Sequence, residues 1–209
     1  MKKTTIWIGI VTLLIVMSGC AAKPKPSKPI KAFLTIIKTN MKSDFVDTDY
    51  FISEVTVYDA FKKSESGETT SNAISVKMLE MLSSFDYKIV SETVTKDTAL
   101  VIVEFTTYDL ATIFKEWMRQ YIALIPVLIK SVPLKTAAEI TTMVNDLFMS
   151  TANAAKKDHI VKADIKLTLV DGKWKMDGGD ANKALFNAIT GDFMSIYKDL
   201  PNSVLTPKF

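Results

Sequence analysis

The 209-residue chain contains one histidine, His159, and one cysteine, Cys20. With a single histidine, no metal site built on two histidines can be assembled within one chain. His159 follows Asp158 at the start of a strand-like run, where an exposed structural role is expected rather than a place in a triad. Asp44, Asp47 and Asp49 crowd together and could offer carboxylate oxygens to calcium. Their spacing misses the EF-hand pattern and lacks its glycine, which favours capping and solvation. Gly67, Gly172, Gly178, Gly179 and Gly191 suit turns and helix ends, not a phosphate-cradling loop. Glu104, between Val103 and Phe105, is the one carboxylate that could work as a general base, if it enters a pocket where burial raises its pKa. The competing reading is a sheet-surface carboxylate paired with a lysine. No metal and no cofactor are expected.

The lone cysteine also excludes an intrachain disulfide, so the folded body must be held by its core. Its setting is more informative. Lys2 and Lys3 precede an apolar run over residues 6–16, shorter than the roughly 20 residues that span a bilayer. Basic start, short apolar middle and small residues at the end describe an export signal. Met17-Ser18-Gly19-Cys20 resembles the bacterial lipobox. That resemblance implies cleavage after residue 19 and a diacylglyceryl thioether on Cys20. The chain would then be pinned to the extracytoplasmic face of a bacterial cell membrane by acyl chains, two of which anchor stably. An ordinary signal peptide and a retained membrane anchor are the competing readings. Residues 20–29 alternate lysine and proline, as expected of a semi-rigid spacer.

Hydrophobic residues make up 48% of the chain and charged residues 23%, enough apolar material for a sizeable core in one domain over residues 30–200. Setting aside Lys2 and Lys3 leaves 24 basic against 23 acidic residues, so the body lacks the basic footprint of a nucleic-acid binder. Helical spacing covers residues 30–40 and 73–85, and less clearly 44–61. Two runs rich in β-branched and aromatic residues follow, 87–94 and 99–108, joined by a turn at 95–98. Ala99, Val101, Val103 and Phe105 share one side of the second run. Residues 110–130 and 135–155 read as a helical hairpin, with Pro126 expected to kink or interrupt its first arm. Residues 159–170 alternate as a half-buried strand, Asp171-Gly172 is a hairpin turn, and Trp174 and Met176 lie on the returning strand. Asp180 is placed to cap a last helix, and residues 201–209 form a loose tail. The fold class is α+β, with helices packed on an antiparallel sheet.

Val170-Asp171-Gly172-Lys173-Trp174-Lys175-Met176-Asp177 resembles the closing hairpin of nuclear-transport-factor-2-like domains. It is most similar to the lumazine-binding-like domains of lipoproteins in Gram-positive bacteria. The resemblance implies a cystatin-like arrangement, with helices on the concave face of a curved sheet around a conical pocket. Hairpin 110–155 departs from that pattern as an insertion. Residues 121–134 have Lys130 and Ser131 as their only strongly polar members. They are either the buried core of the hairpin or an apolar surface for a lipid, a small ligand or a partner protein. On the second reading the binding residues are Trp117, Tyr121, Ile125 and Leu128, with Trp174 in the pocket wall. The function expected is a non-enzymatic binding or interaction module. The alternative is a small enzyme using Glu104.

Overall fold

The computed structural model describes residues 24–40, 50–52, 73–131 and 133–197. Cys20, the lipobox residues, Asp44, Asp47, Asp49 and the 201–209 tail lie outside them. Helix α1 spans Ser27–Asn40 and α2 spans Ala73–Ser83. Strands β1 (Asp86–Thr95) and β2 (Thr98–Thr107) come next, then helices α3 (Leu110–Ile129) and α4 (Ala137–Ala154). Strands β3 (His159–Val170) and β4 (Lys173–Met176) complete the sheet. A 3-10 turn at Gly179–Asn182 leads into the short helices α5 (Lys183–Ile189) and α6 (Phe193–Tyr197).

The fold is α+β: the four strands form a curved antiparallel sheet in the order β1-β2-β3-β4. Register follows from side-chain alternation, because a one-residue slip would turn every buried residue outward. Val101 lies opposite Ile165 and Val103 opposite Ala163, and all four are buried. Lys96 at φ 53° makes the tight turn between β1 and β2. Asp171 at φ 50° and Gly172 at φ 76° make the one between β3 and β4. Positive φ at both central residues is what a type I′ turn requires, and of the two hairpins only the β3–β4 one has it.

Two apolar clusters result. One lies between the inner sheet face, α1 and α5 and includes Phe33, Leu34, Phe51, Phe105, Ile165, Trp174 and Leu185. The other joins α2, α3, α4 and α6 through Met81, Leu82, Phe114, Trp117, Phe148 and Phe193.

The structure corrects several expectations. Helix α1 begins at Ser27, inside the expected spacer, and both Pro26 and Ser27 are buried. Residues 50–52 are not helical. Phe51 forms a parallel bridge with Met176, and the Met176 amide donates to the Tyr50 carbonyl at 2.7 Å. Pro126 does not interrupt α3, which runs on to Ile129. Asp180 caps nothing; Asn182 precedes α5 and bonds instead to both backbone groups of Lys166. The expected last helix is two helices, broken by Gly191 at φ 51°.

Candidate interaction surface

The helical hairpin leaves the sheet after β2 and returns at β3. Asp109 caps α3, accepting from the Thr112 amide at 2.8 Å. Thr136 and Glu139 form a reciprocal capping box on α4, which satisfies two amides that have no partner within the helix. Along α3, Arg119 donates to both carboxylate oxygens of Glu116, which also accepts from Gln120. Those donors hold its carboxyl down at about 2.

Trp117 joins the two arms at the base of this hairpin. Its ring packs edge-on against Phe148 and Phe114, with centroids 5.6 and 5.1 Å away, and its Nε1–H donates to the Val144 carbonyl at 3.2 Å. Burial stops there. Tyr121, Leu124 and Leu128 are half-buried. Ile122 is 59% exposed, Ile125 38%, Val127 62%, Ile129 71%, and Leu134 in the connecting loop 75%. Ile122, Ile125, Val127, Ile129 and Leu134 therefore form an open apolar surface, and none of the described residues from Tyr121 to Leu134 is fully buried, so this stretch is not the buried core of the hairpin. The sequence signal for it is the absence of charge between Arg119 and Lys130.

Of the residues singled out from sequence, Trp117, Tyr121, Ile125 and Leu128 follow one another along α3. Trp117 is buried at the base and Ile125 open toward the tip. Trp174 is not among them. It is 4% exposed within the sheet cluster, and its Nε1–H donates to the Pro24 carbonyl at 2.7 Å. In β3, Leu169 pairs with Trp174 while His159 pairs with Thr107 next to the hairpin root. The two ends are ten residues apart, roughly 33 Å along an extended strand.

Glu104 sits on the outer sheet face, on the side away from Val103 and Phe105. It pairs with Lys88 at 2.6 Å and Lys162 at 3.6 Å. The hydrogen bond from Lys88, aided by the charge of Lys162, holds its carboxyl below the usual range. A carboxylate so held is a weaker base than a free one, the reverse of what proton abstraction needs.

His159 is half-buried rather than exposed. Its Nε2 lies 2.9 Å from Asp192 Oδ2 and its Nδ1 4.0 Å from Asp109 Oδ2. Asn187 donates to the other Asp192 oxygen. The cluster ties the start of β3 to the α5–α6 turn. Among the described residues, no group of three or more histidine, cysteine or acidic side chains is placed to hold a metal ion.

No family model matches the chain, and no curated protein matches it. Among solved structures it is similar to ycdA of Bacillus subtilis subsp. subtilis str. 168, described as a candidate lipoprotein. The identity is 14% and the TM-score 0.46, with 81% of this chain covered. This chain spans 56% of that one.

Proposed function

We propose that this chain is a bacterial lipoprotein, anchored through diacylglyceryl-Cys20 to the outer side of a cell membrane, that works by binding and not by catalysis. The observation that carries the binding role is the open apolar half of α3, with Ile122, Val127 and Ile129 each more than half exposed. Large apolar side chains left this exposed mark candidate interaction sites. Met118, Met143 and Met149 on the two arms suit an adaptable surface. The occupant is a lipid, an apolar small ligand or a partner protein.

The anchor rests on the Met17-Ser18-Gly19-Cys20 motif after a basic and then apolar start. Among the described residues no helix is long and apolar enough to cross a membrane. A nuclear-transport-factor-2-like ancestry belongs to the same proposal, supported by the helix-first order and the Asp171-Gly172 closing hairpin.

Two experiments test these readings. Mass spectrometry of the native protein is expected to find the chain starting at a diacylated Cys20; residues 1–19 still attached would sink the anchor. An apolar fluorescent dye is expected to bind the wild-type protein and to lose most of that binding with Ile125→Asp and Leu128→Asp together. Equal binding would remove the hairpin from consideration. The enzymatic alternative through Glu104 has its carboxylate engaged by two lysines on the outer face, which disfavours it.

A further inference from the structure

We infer that the sheet end carrying the β1–β2 and β3–β4 turns is a membrane-facing surface, whose lysines rest on the phosphates of the headgroup layer that holds Cys20. The inference goes beyond the binding role of the hairpin and rests on the anchor proposed above. Its starting point is where the chain leaves the body. The Trp174 indole donates to the Pro24 carbonyl at 2.7 Å, Pro26 and Ser27 are buried, and the Ser27 amide donates to Glu92. Trp174 lies opposite Leu169 in the sheet, and the Leu169 amide donates to the Asp97 carbonyl at 2.7 Å. These contacts gather the start of α1 and both turns at one end of the sheet. Four residue steps separate Pro24 from Cys20, at most about 14 Å of extended chain. A diacylglyceryl group keeps its glycerol at the headgroup boundary and its acyl chains below it. The turn end is therefore held within about 14 Å of that boundary. His159 lies ten residues back along β3 from Leu169, roughly 33 Å away.

Charge decides which side of the body faces the lipid. Lys25, Lys28, Lys96 and Lys173 are all exposed at the turn end. Among the described residues, none of these four has an ion-pair partner. Glu92, Asp97 and Asp171 share that end, so four lysines stand against three carboxylates, with Lys23 of the tether as a fifth cation. Glu92 is turned to the Ser27 amide. Elsewhere on the sheet the cations are matched. On the outer face Glu104 takes both Lys88 and Lys162, and Asp164 stands between Lys162 and Lys166 along that side of β3. At the far end Asp86 takes both Lys38 and Lys157, while Asp109 and Asp192 flank His159. Unmatched lysines can exchange water for lipid phosphate without first breaking an ion pair.

The tether alone would let the body stand on its turn end or lie on its outer sheet face. Lying down would press Glu104 and Asp164 toward phosphates and separate Glu104 from its lysines. Standing brings only the turns and the start of α1 to the headgroups. The hairpin root, where Thr107 pairs with His159, is then the part of the sheet farthest from the lipid.

The test uses the native protein, extracted from its membrane and returned to phosphatidylglycerol–phosphatidylcholine vesicles whose headgroups bear a nitroxide quencher. A thioether at Cys20 consumes the native thiol, so an added cysteine is the only free one. Thr95→Cys at the turn end and Ile160→Cys at the far end, both on the outer face of the sheet, are each labelled with a fluorophore. The label at 95 is expected to be quenched several-fold more than the label at 160. Lys96→Gln with Lys173→Gln, or Lys25→Gln with Lys28→Gln, is expected to lower that ratio by half or more. Equal quenching of the two labels, or stronger quenching at 160, overturns the inference. A ratio that both lysine pairs leave unchanged also overturns it. Mass spectrometry of the same sample separates the two readings. An acylated Cys20 with equal quenching sinks the orientation alone, whereas a Cys20 without acyl chains sinks the anchor and the orientation with it.

Discussion

The indole of Trp174 donates to the carbonyl of Pro24 at 2.7 Å, joining residues 150 positions apart in sequence. Next to this bond, the Ser27 amide donates to Glu92 Oε2 at 3.3 Å, which places a carboxylate at the positive end of α1. The lysine–proline stretch is thus not a free spacer over its whole length. Only four residue steps separate Cys20 from Pro24, at most about 14 Å of extended chain. A lipid on Cys20 would hold the body close to its membrane.

Trp174→Phe keeps the ring in the core and deletes this bond. A buried hydrogen bond contributes about 1 kcal/mol net, and the stranded Pro24 carbonyl can turn to water. The expected result is a loss of about 1–2 kcal/mol in urea unfolding and faster amide exchange at Ser27 and Lys28. Unchanged exchange at those amides would mean that the N-terminal segment is held by other contacts.

Gly191→Ala should be among the most damaging single substitutions. The residue sits at φ 51°, and an added Cβ would come 1.8 Å from the Tyr108 carbonyl oxygen. Its own carbonyl accepts from the Ala111 amide at 3.1 Å, so the turn cannot drift from the start of α3 without breaking that bond. A loss of about 3 kcal/mol is expected, from backbone strain and forced separation. Thermal unfolding would read it, and a shift below 1 kcal/mol would contradict the close approach.

Phe148→Ala removes the ring against which Trp117 packs and leaves a cavity in the hairpin base. Buried phenylalanine truncations cost about 3–5 kcal/mol. The single substitutions Ile125→Ser and Val127→Ser, at exposed positions, should change stability by no more than about 0.5 kcal/mol. Equal losses at 148 and 127 would show that the tip is covered.

Stability should fall in acid through the hairpin. The Glu116 carboxyl is held near 2 by Arg119 and Gln120, against an ordinary value of 4.5. A carboxyl lowered in the folded state contributes stability that is complete above its unfolded value and is lost as the pH falls through the folded one. The window for Glu116 therefore runs from about 4.5 down to about 2. Asp86, lowered chiefly by Lys157 and also by Lys38, shifts in the same direction. Glu116→Gln should flatten the acid limb of unfolding midpoint against pH, and an identical limb would count against the pairing.

Periodicity determined most of the elements. Alternation along 99–107 and 159–170 assigned the buried side of the sheet, because a strand's side chains can take only two sides. Asp171-Gly172 marked its hairpin because few residues accept positive φ at both positions. The lack of charge from 120 to 129 marked an unusual helix end, and Met17-Ser18-Gly19-Cys20 carried the export reading without help from any fold. What needed the tertiary structure was every pairing between distant segments. Pro24 against Trp174, Phe51 beside Met176 and His159 beside Asp192 have no local pattern to announce them. Whether residues 121–134 are covered was undecided for the same reason. An apolar helix reads alike whether its neighbours bury it or stop short at Trp117, and only the packing of α2, α4 and α6 around the hairpin base sets that limit.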